Sequence, residues 1–464
     1  MKRDLAALAS HAFDLMVIGG GVVGACIVRD ASRRGLKAAL IEQNDFAAAA
    51  SEAMSHTIHG GIRYLSTGQF GLVRKGLAER AAWMRIAPEY ICEQTWLLPL
   101  TTGARGFQNR VGVALYQWLS GRKAKVLSRA ESLSTEPALE MDGMSGAALY
   151  QDFHLAEPHR LVIAVLQDAA AHGAQIANHV AADGLVGLGS GVEGVNAKDR
   201  LTGDRFAIQA KQIVNATGPW AQAAAERLVP GQKMVRVTGS KGIHLVTPAL
   251  SSTHAIAVSG RGEHVFAVPW SGMSLFGTTD DAYAGDLSSV VATDSEIGAF
   301  QAKIARLMPA AKPFLDKTIA SFAGVRALPN GEGDTYRAAR EELIVSHRDD
   351  GVPALWTVTG GKWTTARLMA ERAVDLTVAQ CGRRTGRCDT RNAVIAARHL
   401  PTLLSDQLAV AERDEMALTA EDHLRRLGRH ALLLDPGLKA EVEGWLARRL
   451  NGDNSGTGRS GRLP

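Results

Sequence analysis

The sequence predicts an α/β protein with two interleaved domains, and three strand–glycine–helix junctions spread along the chain indicate it. The junctions read DLMVIGGGVVG at residues 14–24, KQIVNATGPWA at 211–221 and LWTVTGGKWTTARLMAERAVD at 355–375. Each begins with an apolar run of strand length, and the first and third continue into the apolar spacing of a helix. Three junctions so far apart predict one nucleotide-binding type of domain assembled from separate segments.

The first junction predicts a dinucleotide site. Gly19, Gly21 and Gly24 have GxGxxG spacing, and the helix after them ends near Gly35. Glycines let the backbone approach a pyrophosphate, and the helix N-terminus offers free N–H groups and the positive end of its dipole. The next strand, LKAALIE, ends at Glu42, where a carboxylate accepts from a ribose hydroxyl. The complete unit is a much stronger signal than the glycines alone.

The other two junctions favour FAD over NAD. A strand that crosses into Thr217-Gly218 recurs beside the dinucleotide in two-domain flavoproteins. The third junction places Gly360-Gly361 before a helix, and this second helix N-terminus suits the electron-rich edge of a reduced flavin. We therefore predict a discontinuous Rossmann-type FAD domain.

Composition narrows the class of protein further. The 464 residues carry a net charge of +5 without a dense basic patch, so we predict no nucleic-acid partner. The cysteines are scattered and form no CxxC pair, which indicates a reducing compartment; they are Cys26, Cys92, Cys381 and Cys388. We see no targeting segment, membrane span or metal site, and predict a cytoplasmic protein, with side-on contact to the cytoplasmic membrane as the alternative.

The stretch SHTIHGGIRYL, residues 55–65, sets polar groups into an apolar run. His59 could accept a proton, Arg63 could bind an anion and Tyr64 could donate a hydrogen bond. Gly60 and Gly61 leave room for a flat ring against the backbone. The stretch therefore predicts the substrate side of a flavin site.

Several motifs, in matching order and spacing, carry a family resemblance. They are FDLMVIGGGVVGA, SHTIHGGIRYL, VNATGPW, GSKGIHLV, FGTTD, AGVRAL and GGKWTT. Over residues 1–380 the chain resembles the FAD-dependent glycerol-3-phosphate dehydrogenases, the respiratory kind that pass electrons to quinone. The resemblance implies a glycine-oxidase- or amine-oxidase-like FAD domain, a mixed-sheet substrate domain and a helical C-terminal cap. It also implies oxidation of sn-glycerol 3-phosphate to dihydroxyacetone phosphate.

We expect domain boundaries that follow the family pattern. They are 1–85, 145–235 and 335–385 for the FAD domain, 86–144 and 236–334 for the substrate domain, 386–450 for the cap, and 451–464 for a disordered tail. The cap is shorter than in the family, with Thr419 as a helix N-cap. A homodimer is the oligomer that we expect. The basic pairs Arg425-Arg426 and Arg448-Arg449 fit either anionic lipid or a solvated helix face.

The family motifs also imply roles for individual residues. His59 is predicted as the base, with His244 binding or orienting the substrate and remaining the second candidate for the base, while Arg326 would stabilise the developing alkoxide. Substrate binding is assigned to Arg63, Tyr64, Arg340 and Lys362. Cofactor binding is assigned to Gly19, Gly21, Gly24, Glu42, Ser51, Ser55, Gly60, Gly61, Val180, Thr217, Gly218, Gly361, Lys362 and Thr364. The alternating run FAVPWSGMSLF is predicted as a strand that leads into GTTD, residues 277–280.

Departures from the family pattern keep further functions open. His56-Thr57 replaces the Ser-Lys expected after Ser55, Trp363 and Ala366 replace Leu and Tyr, and Glu342 stands where Tyr or His is usual. These changes allow another phosphorylated or phosphonate-bearing alcohol, such as a tetritol phosphate. They also leave room for an amine or amino-acid oxidase on the same fold, and for a non-catalytic FAD-binding protein.

Overall fold

The computed structural model describes residues 1–450 except 66–67, 188–190, 232–234, 261–262, 330–341, 383, 398–399, 429–430, 432, 434 and 436. The strands are β1 Ala12–Ile18, β2 Ala38–Ile41, β3 Thr57–Ile58, β4 Ile91–Thr101, β5 Lys125–Ser128, β6 Met144–Leu155, β7 Gln175–Ala177, β8 Val180–Val186, β9 Gly194–Asp199, β10 Arg205–Asn215, β11 Val237–Pro248, β12 Ala255–Gly260, β13 Glu263–Trp270, β14 Met273–Gly277, β15 Asp281–Tyr283, β16 Ala320–Pro329, β17 Glu342–Ser346 and β18 Leu355–Gly360. The α-helices are α1 Leu5–Ser10, α2 Val22–Arg33, α3 Phe70–Ile86, α4 Ala104–Leu119, α5 Arg129–Thr135, α6 Pro158–Ala171, α7 Ala221–Leu228, α8 Asp294–Leu307, α9 Lys312–Leu315, α10 Ala366–Cys381, α11 Leu404–Glu415, α12 Ala420–Leu427 and α13 Leu438–Leu450.

The first sheet brings the three glycine junctions together. Its main strand order is β17-β18-β10-β1-β2-β7, and β1 pairs in parallel with both β10 and β2, as β10 does with β18. After its exposed first residue β1 is buried throughout, as expected of a parallel strand covered on both faces. Because β1, β10 and β18 run in the same direction, the glycines that follow them lie at one edge of the sheet. The predicted Rossmann-type α/β class is confirmed.

The second sheet is mixed, as predicted. Its main order is β15-β11-β14-β13-β12-β4-β6-β3, with β12 and β4 parallel and its other pairs antiparallel. A separate apolar cluster, which includes Phe276, Phe300 and Ile304, packs one face of this sheet against α8. Each sheet therefore has its own core.

One predicted strand is wrong. The run FAVPWSGMSLF forms the end of β13, a turn and β14, because Ser271 and Gly272 adopt positive φ angles of 47° and 75°. Two consecutive positive φ angles close a two-residue hairpin, so the alternation of side chains restarts across the turn. The GTTD stretch consequently begins at the end of a hairpin strand.

The predicted domain boundaries stay a prediction. Strand pairing nevertheless assigns one strand to a different sheet from the one that the boundary at residue 145 implies. Strand β6, Met144–Leu155, pairs with β4 and β5 in the second sheet, whereas the predicted boundary at residue 145 counts it with the first. The short β3 also pairs with β6. Residues 57–58 thus join the second sheet although they lie close in sequence to the first glycine junction.

The C-terminal helices α11, α12 and α13 form a small cluster with its own apolar core of Leu408, Leu424 and Leu438. Thr419 caps α12 as predicted, since its side chain accepts from the backbone N–H of Asp422 and Asp422 reciprocates. The predicted disordered tail, 451–464, lies outside the described residues.

Candidate active site

A cavity of about 2220 Å³ lies where the carboxyl edge of the first sheet meets the second sheet. Its lining takes residues from the ends of β1, β10 and β18 and from β11 and β16. Ordinary small-ligand pockets measure roughly 300–1000 Å³. The cavity therefore has room for a dinucleotide and a second molecule beside it.

The glycine turn at one end fits a pyrophosphate. Gly19 has a φ of 112°, and a side chain at Gly24 would collide with the Gly19 carbonyl oxygen, so the helix packs directly on the turn. The Glu42 carboxylate accepts from the Gly20 N–H at 2.7 Å. Burial raises the pKa of Glu42, although hydrogen bonds from Asn44 and Gly20 partly oppose this. These residues suit the nucleotide end of FAD.

Segment 51–59 is tied to the third junction. The Trp363 indole donates to the Ser51 carbonyl oxygen at 3.2 Å, and the Thr364 hydroxyl donates to the His59 carbonyl oxygen at 3.3 Å. Ser51 Oγ accepts from the Val22 N–H at 2.9 Å, which joins the same segment to the start of α2. Residues from both ends of the chain therefore fix the position of His59.

A buried cluster beneath Gly60 was not predicted from the sequence. Arg80 donates to Asp152 at 2.6 Å, the Tyr116 hydroxyl donates to the same carboxylate, and the Gly60 N–H donates to Tyr116 at 2.9 Å. Burial raises the pKa of Asp152, and the neighbouring Arg80 opposes that rise. The Asp152 carboxylate lines the cavity, Arg80 and Tyr116 lie behind it, and the cluster supports the backbone at Gly60. The carboxylate of Asp152 within the largely buried strand β6 is the sequence signal that could have indicated it.

Lys362 and Tyr64 lie together beside the third glycine junction. The Lys362 ammonium is 3.9 Å from the centre of the Tyr64 ring. A side chain at Gly61 would come within 3.0 Å of that ammonium. Lys362 lines the cavity, whereas the buried Tyr64 lies behind it.

His244 projects from β11 into the same cavity. Its Nε2 atom is 2.9 Å from the Ser55 hydroxyl, and its ring stacks on Phe322, with 4.8 Å between ring centres. The side chain is almost fully buried. His244 on β11 and His59, which follows β3, thus line the cavity from different segments of the chain, and Ser55, four residues before His59, contacts His244.

Arg326 extends from β16 across Gly242. Its guanidinium donates to the Thr278 hydroxyl at 2.9 Å and to the Thr279 carbonyl oxygen at 3.3 Å, and Asp280 lies 3.9 Å away. A side chain at Gly242 would overlap the guanidinium, so that glycine is needed for the arrangement. The GTTD stretch therefore holds a fixed positive charge at the cavity wall.

Most of the predicted site residues line this one cavity. They are Gly19, Gly21, Glu42, Ser51, Ser55, His59, Gly61, Val180, Thr217, Gly218, His244, Arg326, Gly361, Lys362 and Thr364. Gly24 and Gly60 instead permit close packing behind the wall. Arg63 has its backbone in a 3-10 helix, Ile62–Leu65, but its side chain and the whole of Arg340 lie outside the described residues.

The departures from the family pattern fall in different places. Trp363 lines the cavity, and Ala366 is buried at the start of α10. His56 is buried against Trp270 and is within hydrogen-bond distance of the Leu155 and Ala156 carbonyl oxygens. Glu342 pairs with Lys75 and Arg372 on another surface of the protein. Thr57, where the family has a lysine, also lines the cavity, so Thr57 and Trp363 are the departures that contribute to its wall.

The cavity combines a nucleotide-type glycine turn with the cations Arg326 and Lys362 and the histidines His59 and His244. In the part of the chain that the structure describes, no group of His, Cys, Asp and Glu side chains has an arrangement that could hold a metal ion. The cations of the site can bind an anionic substrate, and its histidines can exchange a proton with that substrate.

Comparisons with known proteins agree with this geometry. The family profile "DAO: FAD dependent oxidoreductase" matches residues 14–376. A glycerol-3-phosphate dehydrogenase of Synechocystis sp. is 33% identical over 408 residues, covering 84% of this chain and 74% of that protein. The glycerol-3-phosphate dehydrogenase of Bacillus halodurans, solved with FAD, superposes with a TM-score of 0.67 at 26% identity, over 96% of this chain and 81% of that one. A Bacillus cereus glycine oxidase shares the fold, with a TM-score of 0.58 at 18% identity, over 84% of this chain and all of that one.

Proposed function

This chain belongs to the FAD-dependent oxidoreductases and, among them, to the glycerol-3-phosphate dehydrogenase family, and we propose that it oxidises sn-glycerol 3-phosphate to dihydroxyacetone phosphate with FAD. The observation that carries the proposal is the position of Arg326, whose fixed charge faces the cavity that also contains the glycine turn. An amine or amino-acid oxidase has no need of a second cation such as Lys362, so the cation pair favours a phosphorylated alcohol.

The cations would hold the anionic end of the substrate and the oxygen that becomes negative. Arg326 is oriented by Thr278 and Thr279, so little reorganisation is required when a substrate oxygen approaches. Lys362, held over the Tyr64 ring just beyond the end of β18, adds a second positive charge. We assign Arg326 to the substrate oxygen that develops charge and Lys362 to substrate binding.

A histidine would accept the hydroxyl proton. FAD, when bound, supplies the two-electron acceptor at its ring, and Gly19, Gly21 and Glu42 would hold its nucleotide end. We assign proton acceptance to His59, whose backbone is fixed by Thr364. His244, oriented by Ser55, would position the substrate hydroxyl.

The electron acceptor is proposed to be a membrane quinone, reached by side-on contact with the bilayer. No helix among the described residues combines the length and apolar character needed to cross a membrane. Helix α4 exposes Phe107, Val111 and Trp118 along one face, at i, i+4 and i+11 spacing. Exposed Arg110, with Lys123 beyond the helix, would favour an anionic leaflet.

The basic pair Arg425-Arg426, one of two sequence-based candidates for lipid contact, does not support that role. The Arg426 side chain is only 2% exposed and is bound to Asp45, while Arg425 pairs with Glu52. A second copy of the chain is the alternative occupant of the α4 face. A cytoplasmic location is consistent with Cys26, Cys92 and Cys388, which are free thiols.

The decisive experiment is an anaerobic titration of the FAD-loaded protein with sn-glycerol 3-phosphate, followed by the absorbance of oxidised flavin. We expect bleaching by the phosphate ester and none by glycerol, because glycerol lacks the anionic end that Lys362 would bind. The matched variant Arg326→Lys should keep its FAD yet bleach at least about a hundredfold more slowly, since lysine lacks the planar pair of donors.

Different outcomes would change the proposal. Bleaching by amines or amino acids would assign an oxidase of those substrates, and bleaching only by another phosphorylated alcohol would change the substrate. A normal rate in Arg326→Lys would remove Arg326 from the catalytic role.

A further inference from the structure

The segment that encloses the glycine turn is held by contacts with the turn itself. This cofactor segment, residues 42–55, accepts from the Gly20 N–H through Glu42 and donates to the Gly20 carbonyl oxygen from the Ala47 N–H at 3.1 Å. Ser51 accepts from Val22, the first residue of α2. Its position therefore determines how open the nucleotide end of the cavity is.

Helix α12, about 380 residues further along the chain, forms hydrogen-bonded ion pairs with the same segment. The Arg426 guanidinium donates to both Asp45 carboxylate oxygens, at 2.6 and 2.7 Å, and to the Glu415 carbonyl oxygen at 3.0 Å. Both side chains of the pair are almost completely buried. A buried pair of this kind contributes little net stability, but its loss leaves an uncompensated charge, so it fixes where α12 docks.

Two further contacts join the C-terminal helices to the nucleotide end. Arg425 pairs with Glu52 of the cofactor segment and itself lines the cavity. The His179 Nε2 atom is 2.9 Å from the Asp422 carboxylate, and the His179 N–H donates to the Asn44 carbonyl oxygen at 3.0 Å. Polar side chains of α12 thus reach the cofactor segment at Asp45 and Glu52 and reach His179 beside it.

We propose that the C-terminal helices are part of the cofactor-binding site, with Arg425 and Arg426 as positioning residues that couple the docking of α12 to FAD affinity. The inference rests on the proposed use of FAD. Because coupling is reciprocal, docked helices favour bound FAD, and bound FAD favours docked helices. The part of the chain beyond the matched family profile would then act on the cofactor rather than on the substrate.

The test compares FAD affinity and thermal stability in Arg426→Gln and Arg425→Gln. Arg449→Gln is the matched control, because Arg449 pairs with Glu412 between exposed surfaces of the same C-terminal helices. Dissociation constants come from FAD fluorescence on reconstitution, and unfolding midpoints are measured with and without FAD. A bound ligand raises the midpoint according to its affinity, so the gap between the two midpoints reports coupling.

We expect the FAD dissociation constant to rise about tenfold or more in both test variants and to stay unchanged in Arg449→Gln. The gap between FAD-loaded and FAD-free midpoints should shrink correspondingly. Equal falls in both midpoints with unchanged FAD affinity would show a merely structural role and overturn the proposal. If Arg426→Gln does not fold, Arg425→Gln decides alone, because its side chain is less buried. These readouts need no substrate, so a failure of glycerol 3-phosphate oxidation would be recognised separately.

Discussion

At the scale of the residue, the two histidines of the cavity differ in how they are held. His244 is buried, stacked on Phe322 and oriented by Ser55, whereas His59 is half-buried on a segment fixed through its backbone. A proton acceptor must reach its substrate and then release the proton, which suits the less enclosed side chain. The proposed division of roles follows from this difference.

The pH dependence of flavin reduction tests that division. In the unmodified protein the rate should fall on the acid side, because a protonated histidine cannot accept a proton. His59→Gln should lower the rate by about a hundredfold or more and flatten the acid limb. His244→Gln should weaken substrate binding and keep the acid limb. A flat profile in His244→Gln, with the limb retained in His59→Gln, would reverse the two assignments.

Single residues also show what the sequence concealed. His56 lies next to Thr57, the position where the family has a lysine. Its side chain is buried beside β6, with its ring against Trp270. Its φ of 53° is uncommon for a residue with a side chain. Neither fact is visible in the string SHTIH.

At the scale of the element, helix α4 has two different faces. Its buried Tyr116 supports the Gly60 N–H and Asp152, while Phe107, Val111 and Trp118 are exposed. A membrane or partner chain that covers the exposed face of α4 would therefore lie close to the segment that contains His59 and Gly60. An apolar stripe of this kind on a protein surface marks an interaction site.

Vesicle binding tests the outer face of α4. The double variant Phe107→Ser, Trp118→Ser should lose most of its binding to anionic vesicles, because it removes two large apolar side chains that would enter the leaflet interface. Leu201→Ser, at an exposed turn beyond β9, is the matched control and should bind normally. Co-sedimentation measures both. If the double variant instead becomes a smaller species by light scattering with unchanged vesicle binding, the face is a dimer contact.

At the scale of the whole molecule, buried neutral histidines make the fold sensitive to acid. His154 on β6 stacks on His56, and burial lowers its pKa to about 4. The unfolded chain binds a proton near pH 6.5 and the folded chain does not, so stability falls as pH drops from about 6.5 towards 4 and levels off below that. Burial also lowers the pKa of His159, which acts in the same direction.

Unfolding by denaturant at two pH values checks this linkage. Between pH 7.5 and pH 5, His154 should account for a loss of about 2 kcal/mol in the free energy of unfolding. In His154→Gln the loss in the free energy of unfolding across that interval should be smaller by this amount. The exposed control His11→Gln should lose as much as the unmodified protein. An identical pH dependence in His154→Gln would contradict the assignment.

The sequence by itself determined the features that depend on local pattern. The glycine spacing, the apolar strands before the junctions and the Thr419 cap each follow from patterns within about 30 residues. The α/β class and the FAD prediction follow from three such local patterns taken together. The family motifs also identified His59, His244, Arg326 and Lys362 as candidate site residues.

Only the tertiary structure decided which residues meet. The Arg80–Asp152–Tyr116 cluster, the Ser55–His244 contact and the Arg426–Asp45 pair join segments far apart in sequence. No periodicity encodes such pairs, because their geometry depends on how distant helices, strands and loops pack together. The hairpin at Ser271 and Gly272 was missed for a different reason, since the positive φ angles that divide the strand belong to the backbone and leave the apolar alternation almost intact.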